Sequence, residues 1–150
     1  MRADPRFCEA EESHLCALME LEAECFPKDA WGQEALAAHL ASPIAGGLLA
    51  TGPEGKIIGA VLYGAILPEW EIYRVCVTPS ARGRGIGRAL LVTLHDRLAA
   101  EGYHTGMLEV RRSNSPAIGL YEASGYDRVG VRRDYYRHPT EDALIYQKRI

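Results

Sequence analysis

The chain has 150 residues, of which 47% are hydrophobic and 25% are charged, and its net charge is −3. This length and composition predict one globular domain with a sizeable core. No stretch approaches the ~20 apolar residues of a membrane-spanning helix, and residues 1–14 lack the apolar centre of a secretion signal. We therefore expect a cytoplasmic protein without a membrane partner.

Charge is distributed unevenly along the chain. Residues 1–71 hold twelve acidic and four basic side chains, whereas residues 72–150 hold eight acidic and thirteen basic ones. The basic half suits a polyanionic cofactor, and the acidic half could attract a basic partner. For most of the acidic residues a solvated helix face is the better explanation. The cysteines form no C-x-x-C pair, so free thiols and no metal site are expected for Cys8, Cys16, Cys25 and Cys76.

The first half is predicted to hold two helices followed by a β-meander. Ser13 can cap a helix that ends near Cys25, and residues 31–40 have the spacing of a short second helix. Strands then dominate, because apolar runs alternate with turns rich in glycine and proline. The predicted strands are 47–51, 56–66 and 70–77, with a hairpin turn at 52–55.

A loop of glycines and arginines, residues 82–88, leads into the next predicted helix. That helix has an apolar stripe with a four-residue repeat, and Gly102 is a plausible C-cap. Glycines allow close approach of a ligand, and the free N–H groups of a helix start favour a phosphate. A tight turn with solvated arginines explains the loop alone equally well. Neither the dinucleotide-binding fingerprint nor a Walker loop is present.

The second half is predicted to alternate strands and helices. Strand 105–110 carries Glu109, the polar turn 113–115 caps the next helix, and that helix carries Tyr121 and ends at Gly125. Two further strands follow, at 126–132 and 143–148. Hairpins followed by strand–helix–strand–helix–strand–strand are typical of an α/β fold with a mixed sheet and helices on both faces.

Several of these motifs resemble the GCN5-related N-acetyltransferase (GNAT) superfamily. The loop matches its Gln/Arg-x-x-Gly-x-Gly/Ala signature through Arg82, Gly85 and Gly87. Within that superfamily the second half is similar to the bacterial ribosomal-protein alanine N-acetyltransferases (RimI type), and the first half matches them loosely. The matching segments are Leu108–Arg111, Ser113–Asn114, Ala117–Ile118, Leu120–Glu122, Gly125–Tyr126, Arg132–Tyr136, Glu141–Ala143, and in the first half Phe26–Pro27 and Trp31.

The resemblance implies a single N-acetyltransferase domain over residues 1–150 that uses acetyl-CoA and no metal. In that fold two neighbouring parallel strands of the mixed sheet splay apart and the acyl chain lies between them. Here these strands should end near Val77 and Val110. A cofactor role for Asn114 rests on the resemblance, because capping alone explains this residue. The full set of cofactor-binding residues predicted from the loop and the resemblance is Val75, Cys76, Val77, Arg82, Gly83, Arg84, Gly85, Ile86, Gly87, Arg88, Asn114 and Tyr121.

Glu109 is the candidate general base. Strand alternation separates it from its apolar neighbours, and partial desolvation would raise its pKa toward useful values. On the residues alone, an ordinary strand glutamate paired with Arg111 or Arg74 is the stronger explanation. The resemblance reverses that order, because its catalytic glutamate occupies this place in the Leu-Glu-Val-Arg motif.

Tyr121 is the candidate general acid, which would protonate the leaving thiolate. It shares a helix face with Ala117 and Ile118. A core tyrosine that anchors helix to sheet explains the spacing equally well. The resemblance implies the catalytic role, since the family's proton donor is the tyrosine of its Leu-Tyr-Glu motif.

The acceptor is implied to be the α-amino group of a protein, with the N-terminal alanine of a basic, small-subunit ribosomal protein as the main candidate. Glu71, Tyr135 and Tyr136 are the candidate acceptor-binding residues, although sheet packing and solvent exposure also explain them. Gly83 and Met107 depart from the family pattern, and glycine in place of a basic residue at 83 implies that phosphate contact relies more on the backbone. Residues 73–76 depart from it too, and because their strand helps to line the acceptor groove, the acceptor could differ. The alternatives are a lysine or small-molecule acceptor, or a non-catalytic acyl-CoA-binding or ribosome-associated module. No nucleic-acid partner is expected, and a monomer is the working assumption.

Overall fold

The computed structural model describes residues 4–150, so residues 1–3 of the predicted domain lie outside it. Short 3-10 turns at Glu12–His14 and Pro79–Ala81 accompany the regular elements. In chain order the elements are β1 Arg6–Glu9, α1 Leu15–Cys25, α2 Gln33–Ala41, β2 Ala45–Thr51, β3 Ile57–Ile66, β4 Glu69–Val77, α3 Ile86–Ala100, β5 Thr105–Arg111, α4 Ser115–Ala123, β6 Asp127–Tyr136 and β7 Glu141–Arg149.

Most predicted boundaries lie within two residues of the observed ones, with three differences. Strand β1 was not predicted, and β6 continues four residues beyond the predicted end at position 132. The Ser13 cap was wrong, because Ser13 lies inside the first 3-10 turn. That turn is held by the Glu11 backbone N–H, which donates to Nδ1 of His14 at 2.9 Å.

Within residues 4–150 seven strands form one mixed sheet in the order β1-β2-β3-β4-β5-β7-β6, and of the neighbouring pairs there only β4 and β5 run parallel to each other. Helices cover both faces, as predicted. On one face α1 and α2 pack on Leu49 and Leu62, and on the other α3 packs on Leu48 and Val61. This division follows from the pleat, which sends successive side chains to opposite faces.

Strands β4 and β5 splay apart, which confirms the predicted gap. They pair over four residues, from Glu69 opposite Thr105 to Ile72 opposite Leu108. Beyond this level the two strands continue without pairing. In the β3–β4 ladder Leu62 pairs with Arg74 and Tyr63 with Ile72, so the intervening residue of β4 forms a bulge. Bulges bend and twist a strand, and this one lies where the gap opens.

A buried polar network joins the sheet to α3 below the gap. The Trp70 indole N–H donates to the Tyr126 hydroxyl at 3.1 Å, and Nε2 of His95 lies 2.9 Å from the same oxygen. Burial, and secondarily the charge of Lys148, lowers the pKa of His95 to about 4. The ring is therefore neutral at pH 7 and can accept the hydroxyl proton of Tyr126.

We expect His95 to make the folded state sensitive to acid. An unfolded histidine has a pKa near ~6.5, so between pH 7 and pH 5 the unfolded chain binds more protons than the folded one. Stability therefore falls as the pH falls, and this residue contributes a loss of about 2 kcal/mol over that interval. Urea unfolding at both pH values measures it. His95→Gln should remove this part of the loss, and an unchanged difference would contradict the assignment.

Candidate active site

The start of α3 has the geometry of an anion-binding loop. Gly83 and Gly85 have positive φ values of 80° and 76°, which glycine adopts without strain. Gly85 is the N-cap residue, and no side chain caps the first turn. The first N–H groups of α3 are thus left for solvent or a ligand. A Cβ atom at either glycine would meet nothing within 4 Å, so the space above the loop is open.

The third glycine of the loop has a packing role. A Cβ atom at Gly87 would lie 3.3 Å from Leu120 and 3.8 Å from Val77. It therefore lets α3 approach α4 and the end of β4 closely. The loop signature thus has two separate physical causes, which are backbone conformation at the first two glycines and close packing at the third.

The arginines of the loop surround the helix start without capping it. Arg82 donates from Nε to the Val77 carbonyl oxygen at 3.0 Å, and Arg84 donates to the Ser80 carbonyl oxygen at 3.3 Å. Arg88 lies farther round the helix, in a groove that it shares with His95 and other residues of α3 and α4. All three arginines are exposed, so each keeps N–H donors for an anion.

The predicted thioester-binding edge lies in the splayed part of β4, which includes Val75, Cys76 and Val77. The Cys76 thiol faces α1, where Sγ of Cys25 donates to the Val77 carbonyl oxygen at 3.4 Å. A hydrogen bond with Cys76 is the main cause that lowers the pKa of Cys25 to about 7, and Arg82 lowers it further. The backbone of this segment, and not the thiol, is what β4 presents toward β5.

Glu109 lies on β5 at the opposite side of the gap, and its partner is Arg132 of β6. Nε of Arg132 lies 3.1 Å from Oε1 of Glu109, whose side chain is 22% exposed. The sequence suggested Arg111 or Arg74 as the partner of Glu109, and neither pairs with it. Arg111 pairs with Glu141 at 3.3 Å, and Arg74 pairs with a residue of α1.

A second carboxylate lies beside Glu109. Burial is the main cause that raises the pKa of Glu71, and the charge of Glu109 raises it further. Glu71 is paired with Met107 in the β4–β5 register, two residues before Glu109 on the same face of the sheet. Arg132 pairs with Glu109 and is near enough for its charge to act on Glu71, so two partly buried carboxylates share one guanidinium. Such a cluster favours a cation.

Tyr121 approaches the gap from α4, on the face of the sheet opposite to Glu109. Its side chain is buried, and its ring lies 5.9 Å from that of Tyr126 in a T-shaped contact. Burial raises the pKa of Tyr121 well above its usual value, and Tyr136 and Cys76 are close enough to contribute. The phenol therefore reaches the level of the splayed strands and is protonated at neutral pH.

Tyr135 and Tyr136 end β6 beside Glu109. Their ring centroids lie 5.1 Å apart, and the Arg132 guanidinium lies 5.6 Å above the Tyr135 ring. Hydrogen bonding to Glu109 raises the pKa of Tyr135, whose side chain is exposed. Burial and the charge of Glu109 raise the pKa of Tyr136 to about 12. The structure thus brings both tyrosines to the candidate base.

Asn114 caps α4, as its residue type predicted. Its Oδ1 accepts from the Ala117 backbone N–H at 3.3 Å. A cofactor contact by Asn114 stays a prediction.

Sequence reasoning missed an ion pair beside the gap. Arg74 of β4 donates from two nitrogens to both carboxylate oxygens of Glu22, each at 3.2 Å, and also to the Asp29 carbonyl oxygen. Its guanidinium lies 4.0 Å from the Phe26 ring centroid and 5.5 Å from that of Trp31. Arg74 thereby fixes the connection between α1 and α2 against the splayed strand.

None of the helices in residues 4–150 is both long enough and apolar enough to cross a membrane. In the same part of the chain, no three histidine, cysteine, aspartate or glutamate side chains are grouped as metal ligands.

Comparison with known proteins places this arrangement in a family. The model of the acetyltransferase (GNAT) family matches residues 15–126. The N-alpha-acetyltransferase RimI of Mycobacterium tuberculosis is 40% identical over 141 residues, which cover 91% of this chain and 86% of the relative.

Two Escherichia coli comparisons agree with this. The [ribosomal protein bS18]-alanine N-acetyltransferase of strain K12 is 41% identical over 95 residues, and the match spans 61% of this chain and 63% of that relative, less than two thirds of its length. The crystal structure of the ribosomal-protein-S18-alanine N-acetyltransferase superposes with a TM-score of 0.91 at 30% identity, covering 97% of this chain and 94% of that one. The chain belongs to the acetyltransferase (GNAT) family.

Proposed function

We propose that this protein transfers the acetyl group of acetyl-CoA to the N-terminal α-amino group of a protein, in the first place the alanine of a small-subunit ribosomal protein. The observation that carries the proposal is the β4–β5 gap, with an uncapped helix start at one end and Glu109 and Tyr121 at its two sides. The names of the Escherichia coli and Mycobacterium tuberculosis relatives support the α-amino acceptor.

The chain's own residues fit the proposed donor. The free N–H groups at the start of α3, together with Arg82 and Arg84, would hold its phosphates. The splayed edge of β4 would align with its amide groups and offer a backbone N–H near Cys76 or Val77 to the carbonyl oxygen. When bound, acetyl-CoA supplies the acetyl group as a thioester.

Glu109 is the proposed general base. An N-terminal α-ammonium has a pKa near ~8, so removing its proton near neutral pH requires little work. The Glu109 carboxylate takes that proton, either directly or through a water molecule. Glu71 adds a second negative charge, which attracts the ammonium before it is deprotonated.

Tyr121 is the proposed general acid. Its O–H would give its proton to the sulfur that leaves when the amine attacks, and the phenolate would regain a proton from solvent. The raised pKa of Tyr121 keeps the proton in place beforehand. Desolvation favours the neutral form of a thiol as it does that of a phenol, so a leaving thiolate held in the gap would also favour protonation.

The acceptor would enter between Glu71 and the pair Tyr135 and Tyr136. An aromatic wall with carboxylates at its base suits a basic peptide N-terminus. A ribosomal acceptor is made in the cytoplasm, and we propose that compartment for the reaction.

The experiment that tests the proposal offers the purified protein acetyl-CoA and a panel of amines. The panel holds peptides beginning with alanine, the same peptides with a blocked N-terminus and an internal lysine, and small amines. Mass spectrometry locates the acetyl group. We expect it on the α-amino group of the unblocked peptides alone. Acetylation only of lysine or of small amines would assign another acceptor, and coenzyme binding without turnover would assign a non-catalytic role.

A further inference from the structure

An apolar pocket lies beside the first half of β4, outside the residues assigned so far except Glu71. It encloses about 400 Å³ next to the turn that joins β3 to β4. We call it the β3–β4 pocket; its main lining residues are Ile44, Ile66, Leu67, Glu71, Tyr73 and Met107.

The lining of the β3–β4 pocket is unusually exposed for large apolar side chains. Ile66 and Leu67 are 64% and 61% exposed, Ile44 is 50% exposed and Tyr73 is 41% exposed. Single exposed apolar residues are common, but four of them around one concavity mark a binding surface. Each leaves apolar area in water that a ligand would cover.

The pocket is continuous with the candidate active site. Glu69 and Glu71 lie on one face of β4, and Met107 lies next to Glu71 in the register. Tyr73, the bulge residue of β4, lines the pocket together with them. Glu109 is two residues beyond Met107 on the same face, or ~7 Å along the strand. A chain leaving Glu109 along this face enters the pocket directly.

The charge of the lining has one sign. Glu69 and Glu71 border the pocket, and none of the residues that line it is lysine or arginine. Arg132, which is near Glu71, is engaged by Glu109. Apolar side chains bordered by carboxylates match a segment that carries both apolar and basic side chains.

We propose that the β3–β4 pocket binds the segment that follows the acceptor's N-terminal residues, and that it favours apolar residues interspersed with basic ones. This inference rests on the proposed function, because it takes the acceptor to be a polypeptide. Ile66 pairs with Glu69 in the β3–β4 register, and Glu69 pairs with Thr105 in the β4–β5 register. Thr105 lies four residues before Glu109 on β5. An extended peptide therefore reaches Ile66 after ~13 Å, or about four residues.

The test measures the affinity of fluorescently labelled peptides for the protein in the presence of coenzyme A. One peptide has three residues and begins with alanine. Two others continue for seven more residues, one with alternating leucine and arginine and the other with alternating leucine and glutamate. We expect the leucine–arginine peptide to bind at least ~10-fold more tightly than the tripeptide, because one buried apolar side chain contributes about that factor. The leucine–glutamate peptide should bind more weakly than its basic counterpart.

Variants locate the effect. Ile66→Ser and Leu67→Ser should each reduce the advantage of the long peptide, since both side chains are exposed and their loss leaves the core intact. Val129→Ser is the matched control, because Val129 is 54% exposed on β6, away from the pocket. In this control the ratio of the affinity for the long peptide to that for the tripeptide should equal the ratio in the unmodified protein.

Three results would overturn the inference. These are equal affinities for the short and long peptides, equal effects of Ile66→Ser and Val129→Ser, or a dimer that Ile66→Ser dissociates without any change in the affinity ratio. The last result would assign the pocket to a second copy of this chain. The affinity measurement involves no acetyl transfer. A protein that does not acetylate N-termini can therefore still show the expected peptide preference, so failure of the proposed function is distinguished from failure of this inference.

Discussion

Replacing Tyr121 with phenylalanine should lower kcat with acetyl-CoA and an alanine peptide by about 10²–10⁴-fold, the usual contribution of a general acid. The phenyl ring keeps the contact with Tyr126, so the fold and the affinity for acetyl-CoA should change little. Steady-state kinetics together with calorimetric titration of acetyl-CoA measure both quantities. Glu109→Gln should lower the rate within the same range, with the largest loss at low pH where more of the amine is protonated.

Tyr126→Phe is the matched control for this prediction. It also removes a buried tyrosine hydroxyl, but one that hydrogen-bonds to Trp70 and His95 below the gap. We expect it to lower thermal stability and to leave kcat near its original value. Undiminished kcat in both Tyr121→Phe and Glu109→Gln would refute the proposed roles. Equal losses of kcat in the two tyrosine variants would show that Tyr121 acts through the packing.

Replacing Arg74 with alanine should destabilise the folded protein by about 3–5 kcal/mol, the usual cost of leaving a buried charge without its partner. The Glu22 side chain is 2% exposed and that of Arg74 is 16% exposed. The substitution also removes the guanidinium from the Phe26 and Trp31 rings. Urea unfolding at neutral pH gives the free energy.

Two further variants test whether the Arg74–Glu22 pair contributes more stability than an exposed ion pair does. Arg97→Ala breaks an exposed contact with Glu9 at 3.9 Å and should cost less than about 1 kcal/mol. Replacing Glu22 by leucine and Arg74 by methionine together should recover much of the stability, since both charges are then absent. A loss in Arg74→Ala no greater than that in Arg97→Ala would contradict the importance of the pair.

The regular elements of the fold could be predicted because their signals are local. Apolar runs between turns rich in glycine and proline marked β2 to β4, and the four-residue repeat beginning at Ile86 marked α3. Strand β1 has four residues, Arg6–Glu9, and is mostly exposed at the edge of the sheet, so neither burial nor length distinguished it. The extension of β6 to Tyr136 is also mostly exposed, so burial did not distinguish it either.

The site could be predicted in part. Glycine spacing indicated the loop at Gly83 and Gly85, and alternation placed Glu109 on the face opposite its apolar neighbours. The partner of Glu109 could not be predicted, since β6 returns beside β7 and brings Arg132 across 23 positions of sequence. The Arg74–Glu22 pair spans 52 positions, and no local pattern records a contact over that separation.

We propose above all that the start of α3 holds the pyrophosphate of acetyl-CoA and thereby places the acyl group between β4 and β5, at Glu109 and Tyr121. A crystal structure with coenzyme A joined covalently to the α-amino group of an alanine peptide tests this placement most directly. We expect phosphates on the N–H groups of residues 83–88, the linked nitrogen within hydrogen-bonding reach of Glu109, directly or through one water, and the sulfur beside the Tyr121 hydroxyl. Phosphates bound elsewhere, or a peptide on the opposite side of the sheet from Glu109, would contradict it.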